Sequence, residues 1–204
     1  MTVRLLLITH AATSAVRAAS FPLDEPLDST GLADAHAAVA AMPARTDRCW
    51  SGPERRTRQT AAALGLAATA SPDLADWNCG RWAGASLPDL HEREPEAVGA
   101  WLALPDAAPH GGESLNDLLS RAGNWLDRLT PDPSAGRSTS MVAVTHPAVA
   151  RAVIVQALCG SAASFWRLDL GPLSRIELAG QPGRWGLRTI SRARRWEVAT
   201  PDGA

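Results

Sequence analysis

Two of the five histidines follow short apolar segments of the chain. His10 comes after Val3-Arg4-Leu5-Leu6-Leu7-Ile8-Thr9, and His146 after Met141-Val142-Ala143-Val144-Thr145. Short apolar runs followed by small residues read as buried strands. In open α/β sheets, ligands bind at the carboxyl ends of strands, where helix N-termini present N–H groups to anions. Two imidazoles delivered there from distant parts of the chain point to one cleft. Arg55, Arg56 and Arg58 begin a helix after the weaker strand segment Asp47-Arg48-Cys49-Trp50. Cations at that end oppose the helix macrodipole. A bound anion relieves the conflict, and guanidinium forks match phosphate geometry. Of the three, Arg55 and Arg58 are expected to face solvent. Asp76 lies beside Trp77 and Trp82, surroundings that raise a carboxyl pKa and suit a proton donor. His36, His91 and His110 are expected to play surface roles.

The elements that must position these residues alternate. After the first strand, Asp28-Ser29-Thr30-Gly31 opens an Ala-rich helix to about Met42, stopped by Pro43. A helix is predicted from Glu54 to about Leu64, then a structured loop from Ser71 to Leu87. Another helix is predicted around Pro88 to Leu104, followed by a loop from Pro105 to Gly112. Leu115, Leu118, Leu119, Ala122, Trp125, Leu126 and Leu129 keep helical spacing on one face. The strand at Met141–Thr145 leads into a helix from about Pro147 to Leu158. Leu173 to Leu178 and Trp185 to Ile190 read as strands joined by a turn at Gly180-Gln181-Pro182-Gly183. Strands interleaved with helices imply an α/β fold, a three-layer α/β/α sandwich around a mostly parallel sheet. Residues 1–191 form the expected domain and 192–204 a polar tail.

The length of 204 residues suits one such domain. The chain contains no lysine and no tyrosine, which excludes Schiff-base, P-loop and kinase-type lysine chemistry. A formal net charge of −1 argues against nucleic acid and anionic membranes as partners. The three cysteines, Cys49, Cys79 and Cys159, are far apart and include no Cys-x-x-Cys pair, so they read as reduced thiols. The first apolar run is too short to span a membrane and lacks a signal-peptide cleavage pattern, so a cytoplasmic location is expected. No Gly-x-Ser-x-Gly elbow is present, which disfavours a serine hydrolase.

Several segments together resemble the histidine phosphatase (phosphoglycerate mutase-like) superfamily, in its small bacterial phosphatase branch. Thr9-His10-Ala11-Ala12-Thr13 is similar to that family's Arg-His-Gly-x-Thr signature. Pro26-Leu27-Asp28-Ser29-Thr30-Gly31 resembles its Pro-Leu-Thr-x-x-Gly helix start. Ser51-Gly52-Pro53-Glu54-Arg55-Arg56-Thr57-Arg58-Gln59-Thr60-Ala61 resembles Ser-Ser-Pro-Leu-x-Arg-Ala-x-Gln-Thr-Ala. Leu74-Ala75-Asp76 with Gly80-Arg81-Trp82-Ala83-Gly84 resembles Leu-x-Glu followed by Gly-x-Trp-Glu-Gly. Gly111-Gly112-Glu113-Ser114, Val144-Thr145-His146 and Phe165-Trp166-Arg167-Leu168 continue the series in order.

The resemblance implies a metal-independent phosphatase without cofactor, acting on a small phosphorylated metabolite. His10 would become a phosphohistidine, Asp76 would serve as proton donor, and Arg56 and His146 would hold the phosphoryl oxygens. Thr9, Thr13, Arg17 and Glu113 are the expected substrate-binding residues. Thr9 stands where the family has an arginine. Either Arg17 fills that gap, or the chain is a weakly active or non-catalytic phospholigand-binding domain. Pro147 is a second departure, because it has no N–H to offer although it suits a first helical turn. The loop at Pro105–Gly112 and the Trp77–Trp82 stretch are expected to line the mouth. Monomer and homodimer both remain open.

Overall fold

Val3–Thr9 forms strand β1, and a four-residue helix α1 follows at Ser14–Arg17. The computed structural model describes residues 2–135 and 137–192; the expected tail beyond Arg192 lies outside the described residues. Helix α2 spans Ser29–Ala37 and starts where expected, because the Asp28 carboxylate accepts from Gly31 N at 2.6 Å. It gives way to a 3-10 turn at Val39–Ala41. Strand β2 is Arg48–Ser51, helix α3 is Arg55–Ala63, and strand β3 is Thr69–Ala70. The helix expected over 88–104 is two helices, α4 at Leu87–Arg93 and α5 at Pro95–Ala103. Pro95 brings no N–H and drives Glu94 out of the helical region, to φ −140.

Helix α6 runs Leu115–Asp127, opened by a reciprocal capping box between Ser114 and Asp117. Strand β4 is Thr139–Thr145 and helix α7 is Pro147–Ala157. The C-terminal hairpin is β5, Ser174–Gln181, and β6, Arg184–Arg192. The last strand therefore reaches two residues beyond its expected end and includes Arg192, which had been assigned to the tail.

The sheet order is β3-β2-β4-β1-β5-β6. The first four strands pair in parallel, and β5 and β6 add antiparallel. On β1, Val3, Leu5 and Leu7 pack into one apolar cluster with α6 and α7. Leu6 and Ile8 pack into a second cluster with Ala35 of α2 and Ala61 and Ala63 of α3. Burial on both faces is why the strand reads as a continuous apolar run rather than an alternating one. Each fully buried Leu or Ile stabilises this sandwich by roughly 1.5–3 kcal/mol.

Candidate active site

The register of β1 and β4 places Thr9 opposite Thr145. His10 and His146, each one residue further on, therefore leave adjacent strands side by side. Their ring centroids are 5.3 Å apart and the ring planes meet at 63°. Both rings are buried, His10 being 4% and His146 0% exposed. His10 Nδ1 lies 2.7 Å from the Ala11 carbonyl, so it carries the proton and donates there. That leaves the Nε2 lone pair free. Burial, followed by the neighbouring His146, lowers the His10 pKa to about 3. The ring is thus neutral and oriented, the state in which an imidazole can act as a nucleophile. The loop carrying it is tied to α3 by Ala11 N donating to Thr60 Oγ1 at 3.0 Å.

Arg56 enters from the first turn of α3 and is 1% exposed. Its Nη1 donates to the Leu23 carbonyl at 2.7 Å and its Nη2 to Asp76 Oδ2 at 2.8 Å. Its Nε is buried without a partner among the described residues, a donor still available to an oxyanion. Asp76 Oδ2 is also 3.3 Å from His146 Nδ1, while Oδ1 accepts from Trp77 N at 2.8 Å. The Asp76 carboxylate therefore bridges the guanidinium and the second imidazole. Burial opposes its charge, but His146 and Arg56 outweigh burial and hold the carboxyl below the usual range. The expected rise in its pKa is corrected on this point: burial does push the carboxyl up, but His146 and Arg56 together push it further down.

Glu54, the residue before α3, went unassigned in the sequence, yet it completes the cluster. Its Oε2 is 2.8 Å from His146 Nε2, and its Oε1 accepts from Asp76 N at 3.0 Å. The signal that could have exposed it is the pair of departures Gly52 and Glu54 in a segment resembling Ser-Ser-Pro-Leu. A Cβ at Gly52 would lie 2.8 Å from Glu54 Oε2 and 2.9 Å from His146 Nε2, so glycine makes room for this pair. Burial disfavours a charge on His146, but Asp76 and Glu54 together raise its pKa above the ordinary value. A carboxylate oxygen stands at each ring nitrogen, 2.8 Å from Nε2 and 3.3 Å from Nδ1, an arrangement that favours the imidazolium.

This makes an expectation for pH. An anion beside an imidazolium raises its pKa, so removing Glu54 lowers it. The other groups facing the ring are Asp76, which favours the charge, and Arg56 and His10, which oppose it. In Glu54→Leu the alkaline limb of the kcat/KM profile should move down by about 1–2 pH. A limb that stays in place would show that the His146 charge does not depend on Glu54.

Four other expectations for the site are corrected. Thr9 is fully buried, but its Oγ1 donates to the Gly171 carbonyl at 2.6 Å and accepts from Ser174 N at 2.9 Å. Its hydroxyl ties β1 to the start of β5 and is not a substrate contact. Arg17 does not fill the gap. It pairs with Asp28 at 2.6 Å on the surface, where its side chain is 55% exposed. Glu113 pairs with Arg121 at 2.8 Å and lines a second depression with Asn78 and Asp117, one that meets the His10 cleft only at Asp76. His110, expected at the surface, is 1% exposed and stacks edge-on against Trp82 at 5.0 Å.

Thr13 lies on the wall of the His10 cleft, where its hydroxyl also accepts from Val16 N at the start of α1. Trp77, Cys79 and Pro147 share that wall, whereas the loop at 105–112 does not reach it. Arg55 and Arg58 are exposed, as expected. Among the described residues, no group of three or more His, Cys, Asp or Glu is arranged to hold a metal ion, and no helix is long and apolar enough to cross a membrane.

Comparison with known proteins gives a consistent result. A family model described as the histidine phosphatase superfamily (branch 1) matches residues 5–192. The bifunctional protein Rv2228c of Mycobacterium tuberculosis is 29% identical over 184 residues, covering 85% of this chain and 50% of that protein. The chain thus spans half the length of this relative. The glucosyl-3-phosphoglycerate phosphatase of Mycolicibacterium vanbaalenii is 28% identical over 190 residues, covering 87% of this chain and 84% of the relative. Among solved structures, the mycobacterial glucosyl-3-phosphoglycerate phosphatase Rv2419c complexed with VO3 superposes with a TM-score of 0.81. It is 27% identical, over 91% of this chain and 97% of the other.

Proposed function

The chain belongs to the histidine phosphatase superfamily (branch 1), and on that premise we propose that it hydrolyses phosphate monoesters of a small metabolite through a phosphohistidine on His10. The observation that carries the reading is the neutral His10 ring, with its Nδ1 proton committed to Ala11, facing two cationic partners of an anion, Arg56 and His146. An arriving phosphoryl group takes over the place of the Asp76 carboxylate between those two cations. Asp76, now beside a second anion and without its partners, gains affinity for a proton.

His10 Nε2 then attacks phosphorus, the P–O bond to the ester oxygen breaks, and the departing alkoxide takes the proton from Asp76. In the second half, Asp76 accepts a proton from water as the water oxygen attacks phosphorus. The P–N bond breaks, orthophosphate leaves, and His10 returns neutral. Arg56 and the imidazolium of His146 stabilise the charge on the transferred oxygens through both halves. No step calls on a metal.

The test is to mix the protein with acetyl phosphate, quench in alkali and locate the added phosphoryl group by mass spectrometry. Phosphate on the His10 peptide, turning over to orthophosphate, is the expected result. A second reading, a weakly active or non-catalytic phospholigand-binding domain, is favoured by Thr9, whose hydroxyl is taken by Gly171 and Ser174 where the family has an arginine. Phosphate or ester binding without any phosphohistidine would select it.

A further inference from the structure

Beyond the phosphoryl position the His10 cleft changes character. It extends to a volume of about 230 Å³ and is walled chiefly by Phe21, Trp77, Trp101, Phe165 and Trp166. The rings brace one another, with centroids 5.1 Å apart for Trp77 and Trp101, 5.0 Å for Trp101 and Trp166, and 5.7 Å for Phe21 and Trp101. Trp77 and Trp101 are almost fully buried, whereas Trp166 is 36% exposed and stands at the rim. Apart from Asp76 at the phosphoryl end, two charged side chains share the wall, and their signs cancel. Arg151 lies with its guanidinium 5.7 Å from the Phe165 ring centre, and Glu25 faces the same space. Arg151 Nε and Glu25 Oε1 are buried and meet no partner among the described residues, one offering a hydrogen bond and the other accepting one.

Resting on the phosphatase reading above, we infer that the alcohol released from the ester carries a planar aromatic ring with no net charge. Flat π-faces recognise flat apolar rings by offset and edge-on stacking. A polyhydroxylated leaving group, by contrast, would bring hydroxyls to a wall that offers few partners, and each unpaired hydroxyl would weaken binding. A ring bearing one donor and one acceptor at its edge would satisfy Glu25 and Arg151 together. Neither an anionic nor a cationic tail is favoured, because each would meet a like charge on one side of the cleft.

The experiment compares kcat/KM for 2-phenylethyl phosphate, 2-cyclohexylethyl phosphate and glucose 6-phosphate. All three lose a primary alcohol, so differences report recognition rather than leaving-group chemistry. The phenyl ester should be preferred over the sugar by about 10-fold or more and over the cyclohexyl ester by a smaller factor. Trp166→Ala should reduce the phenyl preference several-fold, and Trp166→Phe should restore it. Trp166 sits at the rim, so both variants are expected to fold, which thermal melting checks. Equal or faster hydrolysis of glucose 6-phosphate, with His10 still phosphorylated by acetyl phosphate, overturns this inference and leaves the phosphatase reading standing. Failure of acetyl phosphate to modify His10 removes both.

Discussion

Replacing His10 by alanine should lower turnover of any phosphate monoester by about 10⁴- to 10⁶-fold, the scale on which removal of a covalent nucleophile is felt. No phosphohistidine should be trapped. The expectation follows from how completely the surroundings prepare this one ring. Its proton is committed to the Ala11 carbonyl, its body is 4% exposed, and burial together with His146 keeps it neutral, with a pKa of about 3. At physiological pH no fraction of the protein need first deprotonate His10. Its titration also should not limit kcat/KM anywhere between about pH 5 and 8. His10→Gln keeps a polar side chain of similar length and serves as a folding control. Turnover within 10-fold of the parent in either variant, with the melting temperature unchanged, would show that His10 is not the attacking group.

The second large effect belongs to Arg56. On the proposed reading its guanidinium meets the phosphoryl oxygens, and arginines in that position contribute about 10³–10⁵ to phosphoryl-transfer rates. Arg56→Ala should lose activity on that scale. It should also destabilise the fold by about 1–3 kcal/mol, because Asp76 loses its partner at 2.8 Å and keeps only His146 at 3.3 Å to face its charge. The two consequences separate in the double variant Arg56→Ala/Asp76→Ala. Removing both charges should recover most of the melting temperature while restoring no activity. A double variant as unstable as the single one would place the damage in lost packing of the arginine stem, not in the orphaned carboxylate.

How much of this was legible in the chain depends on the range of the interactions. The two parallel strands that carry the histidines are buried on both faces, so Leu5–Ile8 and Met141–Val144 read as apolar runs without further help. The pairing of His10 with His146 follows once those strands are neighbours. Glu54 could not be read in the same way. A glutamate just before a helix is ordinarily solvated, and beyond its pairing with the departure at Gly52 its task shows in contact with His146, which is 92 residues away. Thr9 was misread for a related reason. A residue type at the end of a strand does not say which way a short hydroxyl turns, and here Gly171 and Ser174 claim it. Pro95 marks a break between α4 and α5 that the single helix expected over 88–104 passed across, whereas the two-residue β3 is too short to impose a pattern.

The position of β4 between β2 and β1 governs how the molecule can be assembled. Strand β1 emerges first in synthesis, yet both of its neighbours, β4 and β5, lie beyond residue 138. Until the last third of the chain is available, the N-terminal strand has nothing to pair with and its apolar edge stays uncovered. Folding must therefore wait for contacts of long sequence separation, which are slow to form. Reactivity and the joining of the sheet's parallel half then arise in the same event, since the docking of β4 beside β1 is also what brings the second imidazole to the first.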